Sequence, residues 1–135
     1  MKIKFEIENA DSLELLDEIA LRNAMGRAMA LVERSAKEKA PKDTGALRRS
    51  ITSEVTQEGG ELVGFVFTPL EYAPYVEYGT GLFAENGNGR KDVPWNYQDD
   101  KGEWHSTRGQ KPQPFMRPAL NENREEIVRI IKEAL

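Results

Sequence analysis

Three of the chain's seven prolines fall between Arg108 and Leu120, and no other stretch restricts the backbone as much. Pro112 and Pro114 each remove a backbone donor and push the preceding residue towards extended geometry. Pro118 differs, because proline suits the first turn of a helix, where its N–H would have had no partner. The segment therefore reads as a stiff extended arm that carries Phe115 and Met116 to one place and then starts a helix. Such an arm is a docking device. Its apolar tip fits either the chain's own domain or a neighbour, and the residues leave both open.

Around this arm the hydrophobic periodicity outlines the other elements. Lys2 to Glu8 alternates, with Ile3, Phe5 and Ile7 on one face, which predicts a half-buried strand at a sheet edge. Asp11 and Glu14 have capping-box spacing and predict a helix start. Leu13, Leu16, Ala20, Ala24, Arg27 or Ala28, Leu31 and Ser35 then form an amphipathic stripe that runs to Lys39. Ala20, Ala24 and Ala28 make a small-residue ridge, and Gly26 costs the helix about 1 kcal/mol relative to alanine. Pro41 ends the helix at or before Ala40, and Asp43 or Thr44 can cap a short turn through Leu47.

Ile51 to Gln57 and Leu62 to Phe67 read as two strands joined by a Gly59-Gly60 hairpin turn, the second central because it is apolar on both faces. Tyr72, Tyr75 and Tyr78 recur every three residues, along one side of a short helix that Gly79 ends in left-handed geometry. Leu82 to Asp92 is polar and glycine-rich, a mobile loop. Trp95–Gln98 and Glu103–His105 flank a second hairpin turn, in a register that sets Tyr97 opposite Trp104. One last helix is expected from Arg117 or Pro118 to Ala134.

A chain of 135 residues fits one domain, 1–135, with the region 82–110 as its mobile loop and hairpin. Cysteine is absent, which excludes disulfides, thiolate metal sites and cysteine nucleophiles. No apolar block resembles a signal peptide, and no run approaches membrane-spanning length. With a formal net charge of −4, the whole protein is no general nucleic-acid binder. One stretch departs from that balance: Arg34, Lys37, Lys39, Lys42, Arg48 and Arg49 stand against the two acids Glu38 and Asp43. These cations could touch phosphates, with Lys42, Arg48 and Arg49 the residues that would face DNA. Completing the helix macrodipole explains helix-end cations equally well.

The single histidine, His105, lies near Asp92, Asp99, Asp100 and Glu103, but one histidine in an acidic turn reads as a solvated turn rather than a metal site. Gly79-Thr80-Gly81 lacks the residues of a phosphate loop. No serine–histidine–carboxylate set has informative spacing. No cofactor is expected. Glu77, between Tyr75 and Tyr78, suits an interface hydrogen bond or ion pair. Trp95, Tyr97, Trp104, Phe115, Met116 and Arg117 have the composition of interface anchors, although such rings also cap cores.

Ala40 to Ile51 (APKDTGALRRSI) resembles the first signature of a tailed-phage family, the gene-product-ten-like head–tail proteins of lambdoid phages, also called tail-completion or neck proteins. Tyr72 to Thr80 (YAPYVEYGT) resembles its second signature. Trp95, Trp104-His105, Thr107–Gln110 and Pro114–Leu120 resemble its third. The resemblance implies an α+β domain, with a long N-terminal helix and a C-terminal helix packed on a small, mostly antiparallel sheet that carries an extended loop or hairpin. It also implies a non-enzymatic virion protein, made in the bacterial host's cytoplasm. That protein forms a ring, commonly a hexamer, between the head connector and the tail terminator, and DNA passes through it. The interface residues would be Tyr72, Tyr75, Glu77, Tyr78, Trp95, Trp104, Phe115, Met116 and Arg117, and the edge strand Lys2–Glu8 could pair with a neighbouring subunit. Two other classes compete: a nucleic-acid-binding accessory protein using the 34–49 segment, and a hydrolase built on Glu77, Asp99 or Asp100 with His105.

Overall fold

The computed structural model describes residues 1–10, 14–42 and 45–135. In chain order its elements are β1 (Lys2–Ile7), α1 (Leu15–Lys39), α2 (Ala46–Ser50), β2 (Thr52–Glu58), β3 (Glu61–Phe67), α3 (Ala73–Tyr78), β4 (Trp95–Gln98), β5 (Trp104–Thr107), α4 (Met116–Glu122) and α5 (Arg124–Glu133). The fold is α+β, with a long N-terminal helix, C-terminal helices and two small antiparallel sheets. The chain divides into two compact units, one of Met1–Leu70 with Phe115–Leu135 and the other of Glu71–Pro114.

In the first unit the sheet order is β1-β3-β2, antiparallel throughout, so the most apolar strand is central and β1 is an edge, as its lysines suggested. Gly59 and Gly60 both have positive φ and close the β2–β3 hairpin as a two-residue turn. Ile3, Phe5 and Ile7 pair with Val66, Gly64 and Leu62, and these six residues share one face of the sheet. That face meets α1. A methyl group on Gly64 would come within 2.6 Å of Met25 Sδ and Met29 Cγ, so the missing side chain is what lets the helix lie close to the strand. On the other face the Lys2 ammonium sits 4.7 Å from the Phe65 ring centre.

Helix α1 has 25 residues, about 38 Å at ~1.5 Å per residue. Its buried stripe is Leu21, Ala24, Met25, Ala28, Met29, Val32, Ser35 and Ala36. This corrects the expected stripe. Ala24, Ala28 and Ser35 are in it, but Leu16 is exposed and Ala20 and Leu31 are only half-buried. A periodic pattern selects a face only to within a residue or so, and the sheet together with α4 and α5 chose the methionine side. Leu13, Asp11, Asp43 and Thr44 lie outside the described residues, and with them the capping expectations. Gly26 meets nothing within 4 Å at the place of a side chain, so it is a tolerated residue and not a packing site.

The expected single C-terminal helix is two helices. Asn123 turns the chain: its backbone N–H bonds the Leu120 carbonyl and its side-chain amide donates to the Ala119 carbonyl at 2.6 Å. A short amide side chain competes with the backbone for helix partners, and here it wins. Pro118 lies in the first turn of α4, where proline is tolerated. Both helices pack on α1, and Lys39 Nζ meets the Glu122 carboxylate at 2.7 Å. The cations of the 34–49 segment are partly spent inside this unit. Lys37 pairs with Glu33, Lys39 with Glu122, and Arg48 reaches the Ala40 carbonyl at 3.5 Å.

Candidate interaction surface

The second unit begins with α3, whose first turn carries Pro74. The three-residue spacing holds: Tyr72, Tyr75 and Tyr78 are all exposed, while Ala73 and Glu77, four apart, are fully buried on the other side. A sequence with a tyrosine at every third position would ordinarily bury that stripe. Here it faces out, and Tyr75 is 63% exposed.

Gly79 ends α3 with φ 83 and ψ 172, a positive φ as expected but an extended ψ, so the chain leaves straight instead of curling into a left-handed cap. It then runs beside the proline arm. Thr80 N–H donates to the Gln110 carbonyl at 2.9 Å, Leu82 N–H to the Arg108 carbonyl at 3.0 Å, and Gln110 N–H to Thr80 Oγ1 at 2.9 Å. Further along, Gln113 N–H donates to the Val76 carbonyl at 2.8 Å. This approach needs glycine on both sides. A side chain on Gly81 would strike the Arg108 carbonyl, and one on Gly109 would strike the Thr80 carbonyl. Gly81 follows the end of α3 in the Gly79-Thr80-Gly81 run, and Gly109 opens the proline arm. Their spacing alone carries no sign that two distant segments meet there.

The second hairpin forms, but in a different register from the one expected. Tyr97 lies opposite His105, and Gln98 opposite Trp104. The reason is the turn. Asp99 Oδ1 accepts the backbone N–H groups of Lys101 and Glu103, both at 2.9 Å, and Gly102 takes φ 81. That closes a loop of odd length between Asp99 and Glu103, and a one-residue slip moves each side chain to the other face. Tyr97 and His105 stack with ring centres 5.3 Å apart, while Trp104 is 70% exposed. His105 Nε2 lies 2.7 Å from Asp99 Oδ2. The hydrogen bond from His105 holds the Asp99 carboxyl below the usual carboxylate range, and the backbone N–H of Glu103 adds to the effect. Asp99, Glu103 and His105 thus come together, with both Asp99 oxygens already accepting hydrogen bonds from this turn.

Between α3 and the start of β4 lies a cleft of about 360 Å³, walled by Pro74, Tyr75, Tyr78, Ala84, Arg90 and Trp95, with Gly79 to Gly81 and Asn86, Asn88 and Gly89 completing it. The Arg90 guanidinium lies over the Trp95 ring, 5.0 Å from its centre, and 3.9 Å from the Asp92 carboxylate. Leu82 and Phe83 add exposed apolar surface in a 3-10 turn at Gly81–Phe83. Neither these two nor Arg90 stood out in the sequence, because a polar, glycine-rich run masks single anchors.

The nine expected interface residues therefore divide. Tyr72, Tyr75, Tyr78 and Trp104 are exposed, and Trp95 is half-buried at the cleft. Arg117 is half-buried in α4. Phe115, Met116 and Glu77 are fully buried and present no surface in this structure. For Phe115 and Met116 the arm's two open readings resolve towards its own domain: they head α4 and belong to the core of the first unit. Of the residues that could face DNA, Lys42 and Arg49 are exposed and Arg48 is half-buried.

A family model described as "Bacteriophage HK97-gp10, putative tail-component" matches residues 6–79, more than half of the 135-residue chain. The match takes in the 40–51 signature and nearly all of the 72–80 one. No curated protein and no solved structure matches the chain.

Proposed function

Since the chain belongs to the HK97-gp10-like family of phage tail components, we propose that it is a structural virion protein of the neck or tail end. In this reading several copies, six in the finished particle, form or join a ring between the head connector and the tail terminator. DNA passes through the ring without being read. The family match over residues 6–79 carries the proposal. The exposed tyrosine side of α3 and the open aromatic cleft support it, since aromatic residues and arginine are the usual anchors of protein contacts.

The role is non-catalytic. The grouped titratable residues Asp99 and His105 are engaged in holding a hairpin turn, and Glu77 is buried. Among the described residues no helix is long and apolar enough to cross a membrane.

Deleting the gene from the phage or prophage that encodes this chain tests the reading. Extracts should then accumulate filled heads and finished tails that do not join, and adding the purified chain should restore joining. Virions that assemble and infect normally without the chain would sink it.

A further inference from the structure

The first two turns of α1 carry an apolar patch that the core does not use. Leu15 is 70% exposed, Leu16 81% and Ile19 47%. On a helix these three lie within an arc of about 100°, with the acidic Glu18 and Asp17 on its two flanks and Glu14 just before it. Three neighbouring aliphatic side chains left in water at the head of a long helix lose the stabilisation that burial would bring. The patch is therefore a knob, apolar at its centre with acids on its flanks, while Arg22 on the next turn is drawn to the Gln57 side-chain carbonyl at 2.9 Å.

The second unit carries the complementary shape. Its cleft has apolar and aromatic walls in Tyr75, Tyr78 and Trp95, and a cation, Arg90, is held at its edge by the Trp95 ring. A guanidinium propped on an aromatic face can still turn its hydrogen-bonding edge to a carboxylate, and Asp92, 3.9 Å away, is too far to occupy that edge with a hydrogen bond. We infer that the Leu15–Ile19 knob of one copy docks into the Tyr75–Tyr78–Trp95 cleft of a second copy, with Arg90 pairing with Asp17 or Glu18. The occupant is a second copy because apolar character and opposite charge match at both ends of the same chain.

A contact between two different patches of identical chains is heterologous: each copy offers a knob to one neighbour and a cleft to the other, so copies add in a row that closes when the rotation allows. The inference deepens the ring reading and takes its biological purpose from it, while its evidence is the exposure and charge of these two patches.

The chain has no cysteine, so introduced thiols report one contact at a time. Full-length Leu16→Cys and Asn88→Cys chains, both changed at exposed positions, are mixed in glutathione redox buffer and the disulfide-linked dimer is quantified. The mixture should yield at least about ten-fold more dimer than either variant alone, or than Leu16→Cys mixed with a Lys132→Cys control. Adding Arg90→Glu to the Asn88→Cys chain should cut the yield about ten-fold, and Asp17→Lys with Glu18→Lys in the Leu16→Cys chain should restore it. Dimer at the control level, or a yield indifferent to Arg90→Glu, overturns the inference. So does a thiol at position 88 that links only to an added head or tail protein. The joining assay separates this from the role itself. If trapping fails while the native chain still joins heads to tails, the docking is wrong and the neck role stands. If trapping succeeds while joining is not restored, the reverse holds.

Discussion

The two units are held together by different means. The first buries a continuous apolar layer between α1 and the inner face of the β1-β3-β2 sheet, and closes it with α4 and α5. The second has little buried apolar surface and two short regular strands. It is shaped by backbone hydrogen bonds between segments 30 residues apart, by glycines that let those segments touch, and by an aspartate-organised turn. Its aromatic side chains mostly face water. Burial is what makes a fold stable, and unspent apolar surface is what favours a contact, so the first unit holds most of the buried core and the second most of the exposed aromatic surface.

Breaking the first unit should have the largest effect. Phe115→Ala removes a fully buried ring and should lower stability by about 3–5 kcal/mol, read by urea denaturation of the whole chain. A loss below about 1 kcal/mol would mean that the ring is not core. The variant would fail in assembly by failing to hold its fold.

Gly81→Ala strikes the second unit. Its φ of 60 and the nearby Arg108 carbonyl leave no room for a methyl group, and the local strain should be about 1–3 kcal/mol. Hydrogen exchange should show faster exchange at the Thr80, Leu82 and Gln110 amides, while the β3 amides keep their protection. Equal loosening of both would erase the contrast drawn above.

Gly26→Ala sharpens the comparison from the other side. The position is helical and open, so alanine should stabilise the chain by about 1 kcal/mol, seen as a higher urea midpoint. A destabilised variant would show a packing contact at Gly26.

The smallest effect is a pH dependence at the turn of the second hairpin. Asp99 has its pKa lowered in the folded state, first by His105 and then by the Glu103 backbone N–H. A depressed carboxylate stabilises the fold above its unfolded value of about 3.9 and loses that contribution as pH falls through its lower folded value. Amide resonances of Lys101 and Glu103 should therefore shift as the pH falls below about 4. In His105→Ala the transition should move upward towards the ordinary carboxylate range. A transition that stays in place would show that the histidine contact does not bear on Asp99.

Much of this molecule could be read along the chain. The β1 alternation, the central β3, the Gly59-Gly60 turn, the end of α1 before Pro41 and the alignment of the three tyrosines along one side of α3 each depend on neighbours within a few residues, and local sequence encodes local geometry. What long-range packing decided could not be read that way. Which side of α1 is buried was chosen by the sheet and by α4 and α5: Met25 and Met29 lie against Gly64, some forty residues away. The hairpin register was set by one aspartate carboxylate taking two backbone donors. The apposition of Gly81 and Gly109 exists only once the arm returns, and that return also carries Phe115 from a presumed surface anchor into the core. Periodicity and turn chemistry are properties of adjacent residues. Face, register and burial are properties of pairs brought together by folding, and a side chain's surroundings form only when its distant partner arrives.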